Sequence, residues 1–110
     1  MSPSSKITPT GTEREPAAKA IAARLGTSVH IRLWEDRTRG EQWVPIYDAA
    51  LMPLIADDFL RIASNNAVDN GQRTFEFKAA AMGTHRLVFE KRMGWKFTAE
   101  DRQIYYVTVS

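Results

Sequence analysis

In four stretches of this chain, apolar side chains recur at every second position, and that spacing restricts it to β-structure. In "SVHIRLW", Val29, Ile31 and Leu33 share one face while His30, Arg32 and Trp34 share the other. In "RTFEFKA", Phe75 and Phe77 alternate with Thr74, Glu76 and Lys78. "HRLVFEK" repeats the pattern with Leu87 and Phe89, and "RQIYYVTV" closes the chain as a β-branched and aromatic strand. A helix would need a period near 3.6, so these segments read as half-buried strands with one face turned to a core.

The segments between them are short. "EDRTRGEQ" is a polar loop, and "WVPIY" after it is a short apolar strand whose Pro45 points to an edge or a bulge. "DAALMPLIADD" is broken by Pro53, which allows at most a turn or two of helix over the core, and "FLRIAS" can be a strand. "NNAVDNG" contains Asp-Asn-Gly, which tolerates positive φ and turns the chain into the next strand. "EPAAKAIAARLG" is ambiguous: Ala, Lys and Arg favour a helix stopped by Gly26, yet only Ile21 and Leu25 could anchor one face. Six or seven short strands without a long helix indicate an antiparallel β-sandwich.

At 110 residues there is room for one domain. Residues 1–15, rich in Ser, Thr and Pro, have the composition of a disordered tail, which leaves 16–110 for the fold. There is no cysteine, hence no disulfide, no thiol nucleophile and no Cys-ligated metal. No apolar run is long enough to span a membrane, and the first residues lack the apolar core of a signal peptide. The expected compartment is the cytoplasm, or the periplasm or cell exterior if a leader has been removed. His30 and His85 have no third ligand nearby in sequence, and Asp57 and Asp58 read as a turn or a helix cap. No Gly-x-Ser-x-Gly motif surrounds a serine. Neither an enzyme nor a bound cofactor or metal is expected.

Two stretches resemble the chagasin family of cysteine-peptidase inhibitors. "VHIRLWEDRTRGEQW" is similar to its second strand and first inhibitory loop, where the family pattern is Asn-Pro-Thr-Thr-Gly, two residues, then Trp. Thr38, Gly40 and Trp43 match; Asp36, Arg37 and Arg39 depart. "GTHRLVFEKRMGW" resembles the family's Gly-Thr strand and the Arg-Pro-Trp loop after it, with Trp95 on the tryptophan, Gly94 on the proline, Met93 on the arginine and Arg92 one place early. The remaining loop, glycine-rich in the family, falls on "VDNG", which includes Asn70 and Gly71. The resemblance runs from about residue 17 to 110 and implies an immunoglobulin-like sandwich of about seven strands. Residues 17–24 then become a first strand instead of a helix.

The resemblance also implies a function, the reversible inhibition of papain-like cysteine peptidases by a monomer. Three loops at one end of the sandwich occlude the cleft, using Asp36, Arg37, Thr38, Arg39, Gly40, Asn70, Gly71, Arg92, Met93, Gly94 and Trp95. Trp95 is either a binding anchor or a lid folded back over the core. Thr38 and Gly40 form either the tip that enters a cleft or a plain turn. Trp43 should pack between the sheets, and Trp34, on the outward face, should be covered by "ALMPLI". Arg37, Arg39, Arg73, Lys91, Arg92 and Lys96 lie in or beside the loops, opposed by Glu35, Asp36, Glu41 and Asp69. That balance predicts a net positive end, which leaves open a non-inhibitory binding module for an acidic protein partner. Few aromatics interleave with these cations, so nucleic acid is not an expected partner.

Overall fold

The alternating segments pair into two sheets in the computed structural model, which describes residues 18–62, 70–94 and 99–110. The strands are β1 (Ala18–Ala23), β2 (Ser28–Asp36), β3 (Glu41–Ile46), β4 (Leu54–Arg61), β5 (Asn70–Lys78), β6 (Gly83–Met93) and β7 (Asp101–Val109). One sheet runs β1-β7-β6-β3 and the other β2-β5-β4. This is the seven-stranded, immunoglobulin-like sandwich expected above. A 3-10 turn, Arg37–Arg39, carries the chain from β2 in one sheet to β3 in the other.

The inward phase of each strand supplies the core. Val29, Ile31 and Leu33 of β2 lie beside Phe75 and Phe77 of the neighbouring β5, and all five are buried. Phe89 of β6 sits at the centre, its ring centroid 5.1 Å from Phe75, 5.9 Å from Phe77 and 5.6 Å from Tyr105. Trp43 is buried between the sheets, and its indole N–H donates to the Trp34 carbonyl at 2.7 Å, tying β3 to β2.

Of the two readings of the segment 18–23, the strand implied by the family resemblance holds: β7 offers it an unpaired edge, and Ala18 to Ala23 register against Ile104 to Val109. That pair is parallel, the one exception to antiparallel pairing among the described strands. "DAALMPLIADD" forms no helix. Asp48 closes a turn in which its carbonyl accepts from Met52 N–H at 2.9 Å, and Leu54 already begins β4. Pro53 cannot donate the N–H a helix would need there, while its carbonyl accepts from Lys78 N–H. Asp57 and Asp58 therefore lie within a strand, in neither a turn nor a cap.

Trp34 is not covered. It is 53% exposed, because the carbonyls of Leu51 and Pro53 accept from Ala80 and Lys78 N–H at the far end of β5, whereas Trp34 registers with Gln72 near the other end.

Candidate functional site

Strand register brings three connections to one end of the sandwich. Asp36 at the end of β2 stands opposite Asn70 at the start of β5, and Arg61 at the end of β4 stands opposite Gly71. Glu41 at the start of β3 pairs with Met93 at the end of β6, and Lys91 with Asp101 of β7. The β2–β3, β4–β5 and β6–β7 connections thus leave from neighbouring strand ends. Of these, 63–69 and 95–98 lie outside the described residues, so Asp69, Trp95 and Lys96 do as well.

The first connection is described throughout. The Asp36 carboxylate caps the 3-10 turn by accepting from Thr38 N–H at 3.1 Å. Gly40 ends it in the left-handed region, φ 77°, with its N–H on the Arg37 carbonyl at 3.0 Å. A Cβ at position 40 would meet nothing within 4 Å, so the conformation, not crowding, calls for glycine. Thr38, Arg39 and Gly40 are exposed.

Beneath this turn the inward phase changes from apolar to charged. Glu35 follows Leu33 on β2, Arg73 precedes Phe75 on β5, Glu41 precedes Trp43 on β3, and Lys91 follows Phe89 on β6. Glu35 is 0% exposed, Glu41 6% and Arg73 8%. The Glu35 carboxylate accepts from Trp43 N–H at 2.9 Å, Arg73 at 2.8 Å and Arg37 Nε at 2.7 Å. Arg73 also makes a two-point contact with Asp57 of β4, at 2.5 and 2.9 Å. The hydrogen bond to Asp57 first, then the charges of Glu35 and Asp57, hold the Arg73 guanidinium even more firmly protonated than usual, against the opposing effect of burial. Glu41 accepts from Asp36 N–H at 3.2 Å and Arg39 at 2.9 Å, with the Lys91 ammonium at 3.8 Å. Among the described residues, no buried side-chain nitrogen or oxygen lacks a partner.

The other predicted residues fall as follows. Asn70 and Gly71 are strand residues at the start of β5, and their carbonyl and backbone close on β4: Asn70 O accepts from Ile62 N–H at 3.0 Å. A Cβ at Gly71 would overlap the Leu60 carbonyl, so glycine there permits a close strand approach. Arg92 is exposed and bonds Glu90, which Arg102 also holds, at 2.9 Å. Met93 is buried, placing its side chain in the interior; Gly94 is exposed in a turn.

Of the cations expected to make this end positive, Arg37, Arg39, Arg73, Lys91 and Arg92 each face a carboxylate, two of which, Asp57 and Glu90, were absent from the sequence balance, and Arg102 shares Glu90 with Arg92. Sequence reasoning missed Glu35, Glu41 and Arg73 as an inward group because it followed the alternation only as far as the residues were apolar. Continuing the count by one step on each strand would have found all three.

A profile of the family described as "Chagasin family peptidase inhibitor I42" matches residues 22–109. Among solved structures, the chain is similar to the cysteine protease inhibitor EhICP2 from Entamoeba histolytica, with 16% identity, 84% of this chain and 86% of that one covered, and a TM-score of 0.74. It is similar to PbICP-C, solved in complex with falcipain-2, with 13% identity, 87% and 92% coverage and a TM-score of 0.67. Amebosin, known from a solution structure, shows 18% identity, 87% and 100% coverage and a TM-score of 0.56. At these identities the structural likeness speaks for the fold. Comparison with curated protein sequences gives no match. With the profile spanning the sandwich from the last residues of β1 to the end of β7, the chain belongs to the chagasin family of peptidase inhibitors.

Proposed function

We propose that this protein is a reversible, non-covalent inhibitor of papain-like cysteine peptidases, occluding the catalytic cleft with the three connections at the Glu41–Met93 end of the sandwich. The observation that carries the reading, beyond family membership, is the form of the β2–β3 connection. It is a narrow, exposed turn whose Thr38 and Gly40 project past the strand ends, with no side chain at Gly40 to obstruct approach to a cleft. PbICP-C, of the same fold, was solved bound to falcipain-2, which supports a peptidase as partner. Inhibition by occlusion needs no reactive group on the inhibitor, only a surface of about 800 Å² per partner that is complementary to the rim of the cleft.

The direct test is titration of several papain-like peptidases with the intact protein. Stoichiometric, reversible loss of activity with the inhibitor recovered uncut is the expected result; no inhibition at high micromolar concentration sinks the proposal. Trp95→Ala and Gly40→Val then assign the loops, since each should weaken inhibition without unfolding the sandwich. A non-inhibitory module for an acidic partner is not favoured by the geometry, because the described cations at this end are already paired.

A further inference from the structure

Arg37 and Arg39 stand where the family pattern has a proline and a small hydroxyl residue, and each is bonded to a buried carboxylate at the base of its own loop. Arg37 reaches Glu35 at 2.7 Å while its guanidinium lies 3.8 Å from the centroid of the Phe59 ring on β4. Arg39 reaches Glu41 at 2.9 Å. Glu35 and Glu41 flank the turn on either side and accept, besides the arginines, a backbone N–H each: Trp43 at the start of β3 and Asp36 at the end of β2. Glu35 is further anchored by Arg73, which Asp57 holds in turn. The loop is thus pinned at both feet and from both sheets.

We propose that Glu35 and Glu41 are positioning residues for the first loop: they clamp Arg37 and Arg39 against its base, so that the loop is held in its projecting form and offers a peptidase cleft a tip of compensated charge. This rests on the inhibitor reading for its consequence but not for its geometry. The physical argument has two parts. A turn of exposed residues without proline would otherwise lose conformational freedom on entering a cleft, a cost that pre-ordering removes from binding. And a free arginine at position 39 would demand an acidic subsite, whereas one bonded to Glu41 has its charge compensated within its own loop. The class of partner this fits is a peptidase whose cleft carries no special acidity.

Limited trypsin digestion reads the clamp without any cysteine peptidase, since the Arg37–Thr38 and Arg39–Gly40 bonds are cut only when the arginine side chains leave their carboxylates and the loop opens. Cleavage at both bonds should be slow in the native protein. It should accelerate by about tenfold in Glu35→Gln and Glu41→Gln, the factor that loss of one hydrogen bond to a charged group corresponds to. Because Glu35→Gln disturbs a buried group and can fail to fold, Arg37→Ala and Arg39→Ala form the second arm, leaving both carboxylates in place. Amide hydrogen exchange at Thr38 and Gly40 should quicken by about tenfold in each, with exchange in β5 and β6 unchanged. Glu41→Asp should restore slow cleavage in part, which mere destabilisation would not.

In the peptidase titration, the same variants should inhibit about tenfold more weakly. The native complex should change affinity by less than about threefold between low and high salt. Cleavage and exchange that are equally fast in native protein and variants would overturn the clamp, and a steep salt dependence would overturn its masking of charge. If the native protein inhibits nothing, the functional reading fails while digestion and exchange still decide the clamp.

Discussion

The two ends of the interior are built on the same alternation and closed by opposite chemistry. At one end Val29, Phe77, Met52, Ala79 and Val109 shut the sandwich with hydrocarbon. At the other, the inward positions of four strands are Glu35, Arg73, Glu41 and Lys91. Apolar closure needs only matched volume, since dispersion and the hydrophobic effect have no direction. Ionic closure must match donors to acceptors one by one, or it leaves a buried charge that costs several kcal/mol. The directional end therefore fixes the geometry of what lies above it, and what lies above it is the first connection.

Substitutions at the two ends should break this contrast in different ways. Phe77→Ala removes a fully buried ring that packs edge-on to Tyr47 at 5.2 Å and to Phe89. It should cost about 3–5 kcal/mol in chemical denaturation, the range for emptying an aromatic site in a core. Glu35→Ala should cost about 3 kcal/mol, the low end for breaking a buried ionic pair, because Arg73 keeps Asp57 while Trp43 N–H and Arg37 lose their partner. The comparison sharpens with Glu35→Ala and Arg73→Met together: if the ionic end acts as one unit, the double variant should be more stable than the sum of the two losses predicts. Additive losses would show that the two residues act separately.

Gly71→Ala should cost about 2 kcal/mol, in the range of overpacking, because the added methyl meets the Leu60 backbone and β4 must shift. The thermal midpoint reads this directly, and no change would mean that β4 is easily displaced.

Smaller effects belong to the exposed pairs. Hydrogen bonding from Arg92 first, and from Arg102 as well, holds the Glu90 carboxyl below its ordinary value of 4.5, outweighing the opposing effect of burial. A carboxylate depressed in the folded state contributes stability that is fully present above about 4.5 and lost as pH falls through the lower folded value. Glu90→Gln should therefore flatten the acid side of the stability profile and change little near neutrality; an unchanged acid limb would remove Glu90 from the balance. Arg39→Ala, whose side chain is 57% exposed, should alter stability by less than about 0.5 kcal/mol, while it loosens the loop above.

Legibility in the sequence followed the same divide. β2, β5, β6 and β7 were readable because Phe75, Phe77, Leu87 and Phe89 repeat at period two and need no partner to be identified as inward. Trp43 was readable as a packing residue because it begins a strand. The strand 18–23 was not, since alanine and lysine prefer a helix locally and only the free edge of β7 overrides them. The first half of β4 was hidden behind Pro53, and Asp57 looked like a turn residue until Arg73 came to face it from β5.

Alternation and turn chemistry, then, were enough to set the class of fold, its inward hydrocarbon and the place of the loops along the chain, because these depend on neighbours in sequence. Which charges are buried, and with whom, depended on folding. Glu35 and Arg73 are 38 residues apart, and each is tolerable inside only once the register of β2 on β5 delivers the other. Folding also buries Glu35 and Glu41, so that Arg37 and Arg39, which read in sequence as part of a net positive end, each have a buried carboxylate to bond. Pairing over such a separation is a property of the assembled sheets, so it was decided by tertiary structure.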